Sequence, residues 1–541
     1  MKTYRGNIVD PVSEQIFRGE ILVDNGKILK RVIKENTEDV FILPGFIDSH
    51  VHIESAMLTP QNFSRLAVKH GTVATVSDPH EIANVLGEDG IHYMIENGKQ
   101  ADLKFFFGVP SCVPATGFET SGARIDSKKV QELLEKEDLY YLSEMMNYPG
   151  VVYNDPEVHA KIWSAIDLGK KIDGHAPGLV GEELRQYVEA GISTDHECYS
   201  YEEALEKIKL GMKIQIREGS AAKNFESLYH LIDEFPDRVM LCSDDLHPDD
   251  LLKGHVNILF KRALEKKIAF FRALKALTVN PVNHYNLNVG LLRENDPADF
   301  VIVDNLEELN VLKTIIDGKE VYDVNEGLKD PKPQKLVNRW YDNEIKPSDL
   351  EVKAEKGKIR VIEVVDGELI TRERVENANI IENKVQSDIQ KDILKIIVQN
   401  RYEKEQPAIA FIHGFGLKKG GLVSSIAHDS HNIISIGTDD NIISELVNWT
   451  NDNRGGVAVH NGKRIIGLPL PIAGIISDLK AEEVAKIYSE LDSEVKKLGC
   501  TLTAPFMTLS FMALLVIPEL KISNRGLFDG NIFNYTTLFT D

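Results

Sequence analysis

The sequence lacks any apolar run of the roughly 20 residues that a membrane-spanning helix needs. The segment that follows Met1, KTYRGNIVD, also lacks the apolar core of a signal peptide. These two absences predict a cytoplasmic protein that has no membrane partner.

Cysteine is scarce, and its few positions do not suit cross-linking. The chain has four cysteines, which lie far apart and form no Cys-x-x-Cys pair: Cys112, Cys198, Cys242 and Cys500. This spacing disfavours a disulfide framework and a zinc ribbon. We therefore expect reduced thiols.

Basic residues are fewer than acidic ones. The chain has 62 Lys and Arg against 84 Asp and Glu, which gives a formal net charge of −22. No stretch carries the dense basic patch that nucleic-acid binding requires, so a polynucleotide partner is disfavoured. A free base or nucleoside has no phosphate chain to be repelled and is compatible with this charge.

The length and composition predict a folded protein with more than one domain. At 541 residues the chain is too long for one ordinary core, and a β/α barrel takes roughly 250 residues. Hydrophobic residues at 43% and charged residues at 27% are close to the averages of globular proteins, so broad disorder is not expected.

The two ends of the first 324 residues predict a small β-domain. Residues 1–40 alternate apolar and polar side chains around Asn25-Gly26, which is typical of a β-hairpin. Residues 286–324 contain further short strands of the same kind, including LNVLKTIIDGKEVYD. We expect these two segments to form one β-domain from both sides of the intervening region.

Residues 41–285 repeat the order strand, polar loop and helix. Helix-like stretches such as VQELLEKED, PEVHAKIWSAIDLG and YEEALEKIKLG separate most of the strand candidates, as β/α units require. Eight strands close a parallel barrel, so we predict an α/β fold with a (β/α)8 TIM-type barrel. The eight candidates are 41–48, 72–77, 104–109, 139–143, 171–174, 192–195, 211–216 and 239–243.

A linker and a further domain come next. Asn325–Lys335, NEGLKDPKPQK, combines Pro, Gly and charge, and we assign residues 325–345 to the linker. Residues 346–541 mix alternating strands with amphipathic helices, which predicts a separate C-terminal α+β domain.

Several predicted barrel strands end in residues of metal-ligand type. In a β/α barrel the active site lies at the carboxyl ends of the strands, so these side chains should converge. The set suits two divalent ions bridged by a carboxylate and a hydroxide, with Glu144 as the bridging carboxylate. Its members are His50, His52, Glu144, His175, His196 and Asp244.

A simpler interpretation exists for each of these residues. A lone histidine at a strand end is more often a hydrogen-bonded core or loop residue than a ligand. Their conjunction at the ends of five strands favours a metal site. Asp245 and Glu197, which adjoin two members of the set, either orient the ligands or are solvated loop acids.

The order His-x-His, carboxylate, His, His, Asp resembles the amidohydrolase superfamily, and the intervening motifs resemble the adenine deaminases of bacteria and archaea. The resemblance covers nearly the whole chain, and its one mild departure is Ala56, where a second Ser is expected. DPHEIANVLG, REGSAAKN and AHDSHN are its most specific motifs. The matching segments are PGFIDSHVHIESAMLTP (44–60), GTVATVSDPHEIANVLG (71–87), VPSCVPATGFETSGA (109–123), SEMMNYPGV (143–151), GHAPGL (174–179), STDHE (193–197), IREGSAAKN (216–224), CSDDLHPDDLLKGH (242–255), SSIAHDSHNII (424–434) and LPLPIAGIIS (468–477).

The resemblance implies a purine-catabolic or salvage enzyme that hydrolyses adenine to hypoxanthine and ammonia. It implies a pair of Mn²⁺ or Fe²⁺ ions, although the same ligands also accept Zn²⁺. Attack on the ring needs a base and an acid, and Asp244 is the natural proton shuttle. Asp78, Glu81 and Glu144 are the candidates to protonate the ring nitrogen.

Other polar residues are candidates for binding the purine. Arg217 is either one of them or a structural ion-pair residue. His428 and His431, in the C-terminal domain, either help to close the barrel mouth or make structural hydrogen bonds. The remaining candidates are Ser111, Cys112, Glu218 and Ser220.

Two competing functions stay open on the sequence. The ligands alone do not choose the bond that is cleaved, so a guanine or cytosine deaminase or a cyclic-amide hydrolase is the first alternative. A catalytically silent binding or scaffold protein is the second. Because large barrels with accessory domains commonly form symmetric assemblies, we also expect a homo-oligomer, most simply a dimer.

Overall fold

The computed structural model of the chain describes residues 1–35, 37–328, 330–355 and 357–541. Within these residues no helix is both long enough and apolar enough to cross a bilayer.

The N-terminal hairpin is confirmed. Strand β1 (Lys2–Asp10) pairs antiparallel with β2 (Gln15–Asp24), which pairs antiparallel with β3 (Lys27–Ile33). Asn25 and Gly26, between β2 and β3, have φ angles of 48° and 80°. A two-residue turn with positive φ at both positions matches the twist of the strands that it joins.

The first predicted barrel strand, 41–48, is two strands. Phe41–Pro44 (β4) pairs parallel with β1 in the flanking sheet, and the barrel strand begins at Phe46. Gly45 lies between them, where a Cβ atom would stand 2.2 Å from a methyl group of Val73. The chain therefore passes from one sheet to the other at a residue without a side chain.

The eight-stranded parallel barrel is confirmed. Five strands pair in order, and three more pair in order after them. The two groups join where Ser193 N donates to Ile172 O (2.9 Å) and where Val51 pairs with Asp244. The barrel strands are β5 (Phe46–Val51), β6 (Thr72–Ser77), β7 (Lys104–Val109), β8 (Leu139–Met145), β9 (Ile172–Gly174), β10 (Thr194–Asp195), β11 (Lys213–Arg217) and β12 (Val239–Cys242).

Several barrel helices begin at a residue whose side chain caps the helix. In Ser127–Leu134, the Asp126 carboxylate accepts from Lys129 N, and the buried residues Val130, Leu133 and Leu134 share one face. The α-helices of this region are Pro60–Lys69, His80–Leu86, Glu88–Gly98, Ser127–Leu134, Tyr148–Val152, Pro156–Asp167, Gly181–Glu189, Tyr201–Lys209, Phe225–Leu228, Leu231–Glu234, Pro248–Lys253, Val256–Glu265, Phe270–Leu277 and Val279–Tyr285.

The flanking β-sheet is built from both sides of the barrel, as predicted. Strands β13 (Phe300–Val303), β14 (Val311–Ile316) and β15 (Lys319–Asp323) complete a seven-stranded sheet in the order β15-β14-β13-β4-β1-β2-β3. The rings of Tyr4 and Phe300 meet edge to face at 4.9 Å in its core. The barrel is thus inserted between two halves of one sheet.

An extended segment leads into the C-terminal region. Lys329, in the predicted linker, lies outside the described residues, and residues 331–346 form no helix or strand. A nine-stranded sheet dominates the C-terminal region. Its α-helices are Asp440–Asn453, Ala481–Lys497 and Pro505–Phe511. Its strands are Val352–Lys353, Lys358–Val364, Thr371–Asn377, Asn379–Ile381, Lys384–Gln386, Ile393–Gln399, Ala408–His413, Gly421–Ser424, Ile433–Gly437, Gly456–His460, Ile465–Pro469, Leu520–Ser523, Gly526–Asp529, Asn534–Tyr535 and Phe539–Thr540.

The C-terminal region packs on the barrel through direct bonds. Asn432 Nδ2 donates to the carbonyl oxygen of Thr120 (2.9 Å), and Ser477 N donates to that of Met57 (2.9 Å). Both acceptors belong to loops that come after barrel strands. This contact places part of the C-terminal region over the carboxyl ends of the strands, where barrel active sites lie.

Candidate metal centre and active site

The end of β5 and the loop after β12 bring three ligand atoms together. His50 and His52 are two residues apart, so their rings point to the same side, with their Nε2 atoms 3.2 Å apart. Asp244 Oδ1 lies 3.5 Å from His50 Nε2 and 3.3 Å from His52 Nε2. The three atoms form a nearly equilateral triangle inside the barrel.

The backbone fixes Asp244 in this place. Asp244 N donates to His50 O (2.9 Å), and His52 N donates to Asp244 O (3.3 Å). Asp244 has a φ of 56°, a left-handed conformation that is uncommon for a residue with a side chain. Hydrogen bonds on both sides hold this conformation and aim the carboxylate at the two histidines.

A second group gathers around Glu144, near the carboxyl end of β8. Its Oε2 atom lies 2.8 Å from His175 Nδ1 and 3.1 Å from His196 Nε2. Its Oε1 atom lies 3.4 Å from His52 Nε2, on the side of the first group. The structure therefore brings all six predicted ligands together, and it gives Glu144 one oxygen toward each group.

The protonation pattern fits bound cations. His52 Nδ1 lies 3.2 Å from the carbonyl oxygen of Asp78, which is an acceptor only, so this nitrogen carries the proton. A neutral His52 then presents a bare Nε2 lone pair to the Asp244 and Glu144 carboxylates. Acceptors that face acceptors in a buried site need a proton or a metal ion between them. Ligands about 2.1 Å from one ion stand roughly 3 Å apart, as these atoms do.

Arg217 and Glu197 form an ion pair beside the ligands. The Arg217 guanidinium donates to Glu197 Oε2 (2.8 Å) and also contacts Glu197 Oε1 and Asp244 Oδ2. Although burial raises it, the Arg217 charge holds the pKa of Asp244 well below its usual range. These contacts favour the ion-pair interpretation of Arg217, and they make Glu197 an orienting partner rather than a solvated loop acid.

Asp245 is held from the adjoining loop. Ser55 Oγ donates to Asp245 Oδ1 (2.5 Å), and the Asp245 side chain lines the cavity at the metal-ligand group. Asp245 is therefore a structured residue of the site.

The Asp78-Pro79-His80-Glu81 segment after β6 adds a second polar cluster. His80 Nδ1 lies 3.2 Å from Asp78 Oδ2 and 3.4 Å from Glu144 Oε1. His80 Nε2 lies 3.4 Å from Glu81 Oε1. His80 thus links both acid candidates of this segment to the bridging carboxylate.

The C-terminal region completes this cluster. His428 Nδ1 lies 2.8 Å from Glu81 Oε1, and His431 Nε2 contacts Glu81 Oε2. Each oxygen of one barrel carboxylate therefore has its own histidine from the other domain. This arrangement agrees with the predicted role of His428 and His431 in closing the barrel mouth.

The cavity at the metal-ligand residues has a polar floor and an apolar cover. It measures about 30 Å³, and metal-ligand residues line its floor. Met146, Leu369, Phe511 and Leu514 contribute apolar wall. The Phe511 ring stacks on His428 with centroids 4.9 Å apart. Sequence reasoning missed these four residues, and only Met146, in SEMMN beside Glu144, had a signal that pointed to it.

Five of the predicted purine-binding residues lie outside this cavity: His431, which contacts Glu81, and the four residues that follow. Ser111 Oγ donates to the carbonyl oxygen of Glu144 (2.5 Å), and Cys112 lines a neighbouring cavity. Glu218 pairs with Arg262 (2.6 Å). Ser220 Oγ donates to Asp250 Oδ2 (2.7 Å). The structure thus gives Ser111, Glu218 and Ser220 partners within the protein.

Two family models match the chain, one over the barrel region and one over the C-terminal region. Residues 41–321 match the model of the amidohydrolase family, and residues 368–534 match that of the adenine deaminase C-terminal domain. Among solved structures, a beta-aspartyl dipeptidase of Fervidobacterium islandicum covers 62% of this chain and 100% of its own, at 17% identity and a TM-score of 0.46.

Relatives that match the chain over its full length are named adenine deaminase. The adenine deaminase of Methanosarcina mazei is 53% identical to this chain over 100% of both sequences. The adenine deaminase of Sulfurovum sp. is 50% identical over 98% of both, and that of Salinibacter ruber is 50% identical over 99% of this chain and 98% of its own.

Proposed function

Because this chain belongs to the adenine deaminase family, we propose that it hydrolyses adenine to hypoxanthine and ammonia at a pair of divalent metal ions. The observation that carries the metal pair is the position of Glu144, whose two carboxylate oxygens face two separate groups of ligand atoms. The identity of the substrate rests on the full-length similarity to adenine deaminases.

The six ligands suit Mn²⁺ or Fe²⁺, and Zn²⁺ is also compatible with imidazole and carboxylate donors. His50, His52 and Asp244 would hold one ion and His175 and His196 the other, and Glu144 faces both groups of ligands. When bound, such ions supply an activated water at neutral pH.

Asp244 moves the proton of the attacking water. Its Oδ2 atom contacts the Arg217 guanidinium, which keeps the carboxylate ionised and therefore able to accept a proton. The same carboxyl group then donates this proton to the departing amine. Arg217 and Glu197 orient Asp244 and do not contact the purine in this mechanism.

Glu81 delivers the proton to the ring nitrogen. Of the three candidates, Glu144 is engaged by His175 and His196, and Asp78 does not line the cavity, whereas Glu81 does. Although burial raises it, the His428 charge holds the pKa of Glu81 well below its usual range. The Glu81 charge in turn raises the pKa of His428 against the effect of burial. His428 therefore carries the proton, and Glu81 Oε1 relays it.

The proposed assembly is a homodimer, in keeping with the prevalence of symmetric dimers among proteins of this size. Light scattering on the protein as it elutes from a size-exclusion column should give twice the mass of the chain, which is 60.7 kDa. A mass equal to that of one chain would remove the dimer from the proposal.

The direct test is ammonia release from adenine, with adenosine, guanine and cytosine as controls. The protein should be expressed with iron chelated and manganese supplied, so that one metal fills the site. Release from adenine alone supports the proposal. Release from guanine or cytosine instead would assign another deaminase activity to the same centre.

A further inference from the structure

The cavity at the metal-ligand group is too small for its substrate. Its volume of about 30 Å³ holds about two water molecules, whereas adenine is a bicyclic purine. The apolar cover formed by Leu369, Phe511 and Leu514 comes from the C-terminal region and lies over the floor. A purine therefore fits only if this cavity enlarges toward a neighbouring space.

A larger cavity of about 370 Å³ adjoins this site. Its inner end is lined by buried residues, among them Ser111, Cys112 and Met146, and its outer end includes the exposed residues Gly117 and Phe533. It therefore runs from the surface to the barrel interior. Its volume falls within the range of small-molecule sites, about 300–1,000 Å³.

Met146 lines both cavities and forms the partition between them. Its backbone N–H donates to the carbonyl oxygen of Glu144 (3.1 Å), so its main chain is fixed beside the bridging carboxylate. The unbranched thioether side chain of methionine has three rotatable bonds and adapts its shape at low cost. It is therefore suited to move while the ligand set stays in place.

The chemistry of the larger cavity suits a neutral heterocycle. Val113, Ile125 and Val158 supply apolar wall for the faces of a ring. The Lys161 ammonium is buried, donates to the carbonyl oxygen of Ser111 (2.7 Å), and has its pKa lowered by burial. The inner wall thus offers an apolar surface with few fixed polar groups, as base-binding pockets do.

Size alone does not select this cavity. Another cavity, of about 410 Å³, lies between barrel residues such as Lys104 and Tyr140 and flanking-sheet residues such as Asp317. Lys104 begins β7, so that cavity lies at the opposite end of the barrel strands. It shares no lining residue with the metal-ligand cavity.

From these observations we propose that the 370 Å³ cavity is the passage through which adenine enters and hypoxanthine leaves, with Met146 as its movable partition. The inference rests on the proposed deaminase function, because it takes a purine base as the molecule that passes through the cavity. It adds a binding space outside the metal-ligand group. The base binds there before the Met146 side chain moves aside.

Gly117 offers a way to close the passage without disturbing the site. It is exposed at the outer end of the cavity, and a Cβ atom there meets nothing within 4 Å among the described residues. The native cysteines are all buried, but Cys112 lines the cavity itself, so both variants below also carry Cys112→Ser. The Gly117→Cys variant is therefore purified in its folded state before it is labelled. One sample receives fluorescein maleimide, which is bulky, and another receives methyl methanethiosulfonate, which adds only an S-methyl group.

Gly357→Cys is the matched control. Gly357 is also exposed, and its added Cβ also meets no described atom within 4 Å, but it lies in the C-terminal region away from both cavities. Both variants receive both reagents. For each sample, kcat/KM for adenine and bound metal per chain are measured before and after labelling.

Fluorescein on Gly117→Cys should lower kcat/KM for adenine about tenfold or more, because entry becomes limiting, with bound metal unchanged. The S-methyl label and both labels on Gly357→Cys should leave kcat/KM within about twofold. Retained kcat/KM under fluorescein would overturn the passage. So would an equal loss with S-methyl, or a loss accompanied by metal release. Absent turnover in the unlabelled protein would instead refute the proposed function.

Discussion

At the scale of single residues, Asp244 has the most demanding position in the site. One of its oxygens faces His50 and His52, and the other contacts Arg217. The carboxylate is therefore placed both to hold a metal ion and to accept a proton. Its positive φ and its two backbone hydrogen bonds to the β5 end leave it little freedom to adopt another orientation.

Replacing Asp244 with Asn should lower kcat for adenine by about 10²–10⁴, as expected for loss of a general base, with some loss of metal as well. The amide keeps the shape of the side chain but does not accept the proton. Steady-state kinetics with metal analysis on the same samples measure both effects. Asp245→Asn, at the neighbouring position, should be much less impaired. Nearly full activity in Asp244→Asn would contradict the assignment.

At the scale of secondary-structure elements, the loop that carries His428 and His431 makes one of the contacts between the C-terminal region and the barrel mouth. His431 contacts Glu81 but does not line the metal-ligand cavity. It is therefore a positioning residue, and its effect on catalysis must pass through Glu81.

His431→Ala should lower kcat about tenfold and shift the acidic limb of its pH profile, because Glu81 loses one of its three histidine partners. Bound metal should stay at the wild-type level, since His431 is not among the six ligands. His431→Gln keeps a side-chain donor and should recover most of the loss. A pH profile identical to that of wild type in the Ala variant would show that His431 is only structural.

A second contact between elements holds the apolar cover of the cavity in place. Lys521 is fully buried, and its Nζ donates to the carbonyl oxygens of Leu369 (2.6 Å) and Phe511 (3.1 Å). Burial lowers the pKa of Lys521 to about 7 from its ordinary 10.5. Between these two values the unfolded chain binds more protons than the folded chain at this position, so folding becomes more favourable as pH rises.

In Lys521→Met this contribution is absent. The urea midpoint of the wild-type protein should therefore rise more between about pH 7 and about pH 9 than that of the variant. Urea titrations at both pH values, followed by fluorescence, compare the two increments. Equal increments would show that Lys521 keeps an ordinary pKa in the folded protein.

The elements of the barrel were largely predictable, because strand runs and amphipathic helices have a local period. The split of 41–48 was not, since Phe41–Pro44 and Phe46–Val51 have the same apolar composition and only sheet partners distinguish them. The six ligands were predictable from their places at strand ends. Strand ends do not give the distance from the barrel axis, so Glu218 and Ser220 were grouped with the site although their side chains pair elsewhere.

At the scale of the whole molecule, the site belongs to both domains. The barrel supplies the ligands, and the C-terminal region supplies Leu369, Phe511 and Leu514 as cover and His428 beside Glu81. No sequence signal marked the apolar cover, because such residues are common and their position depends on how two domains pack. The C-terminal region therefore supplies both the apolar cover of the cavity and a histidine partner of Glu81.

The most direct test of the two-ion centre is reconstitution of the metal-depleted protein with Mn²⁺, while bound metal and adenine turnover are measured together. Turnover should rise with added metal and reach its maximum at two ions per chain, because the ligand atoms form two groups joined by Glu144. Glu144→Gln should bind less metal and turn over less adenine. Full turnover without metal, or a maximum at one ion per chain, would contradict the two-ion centre.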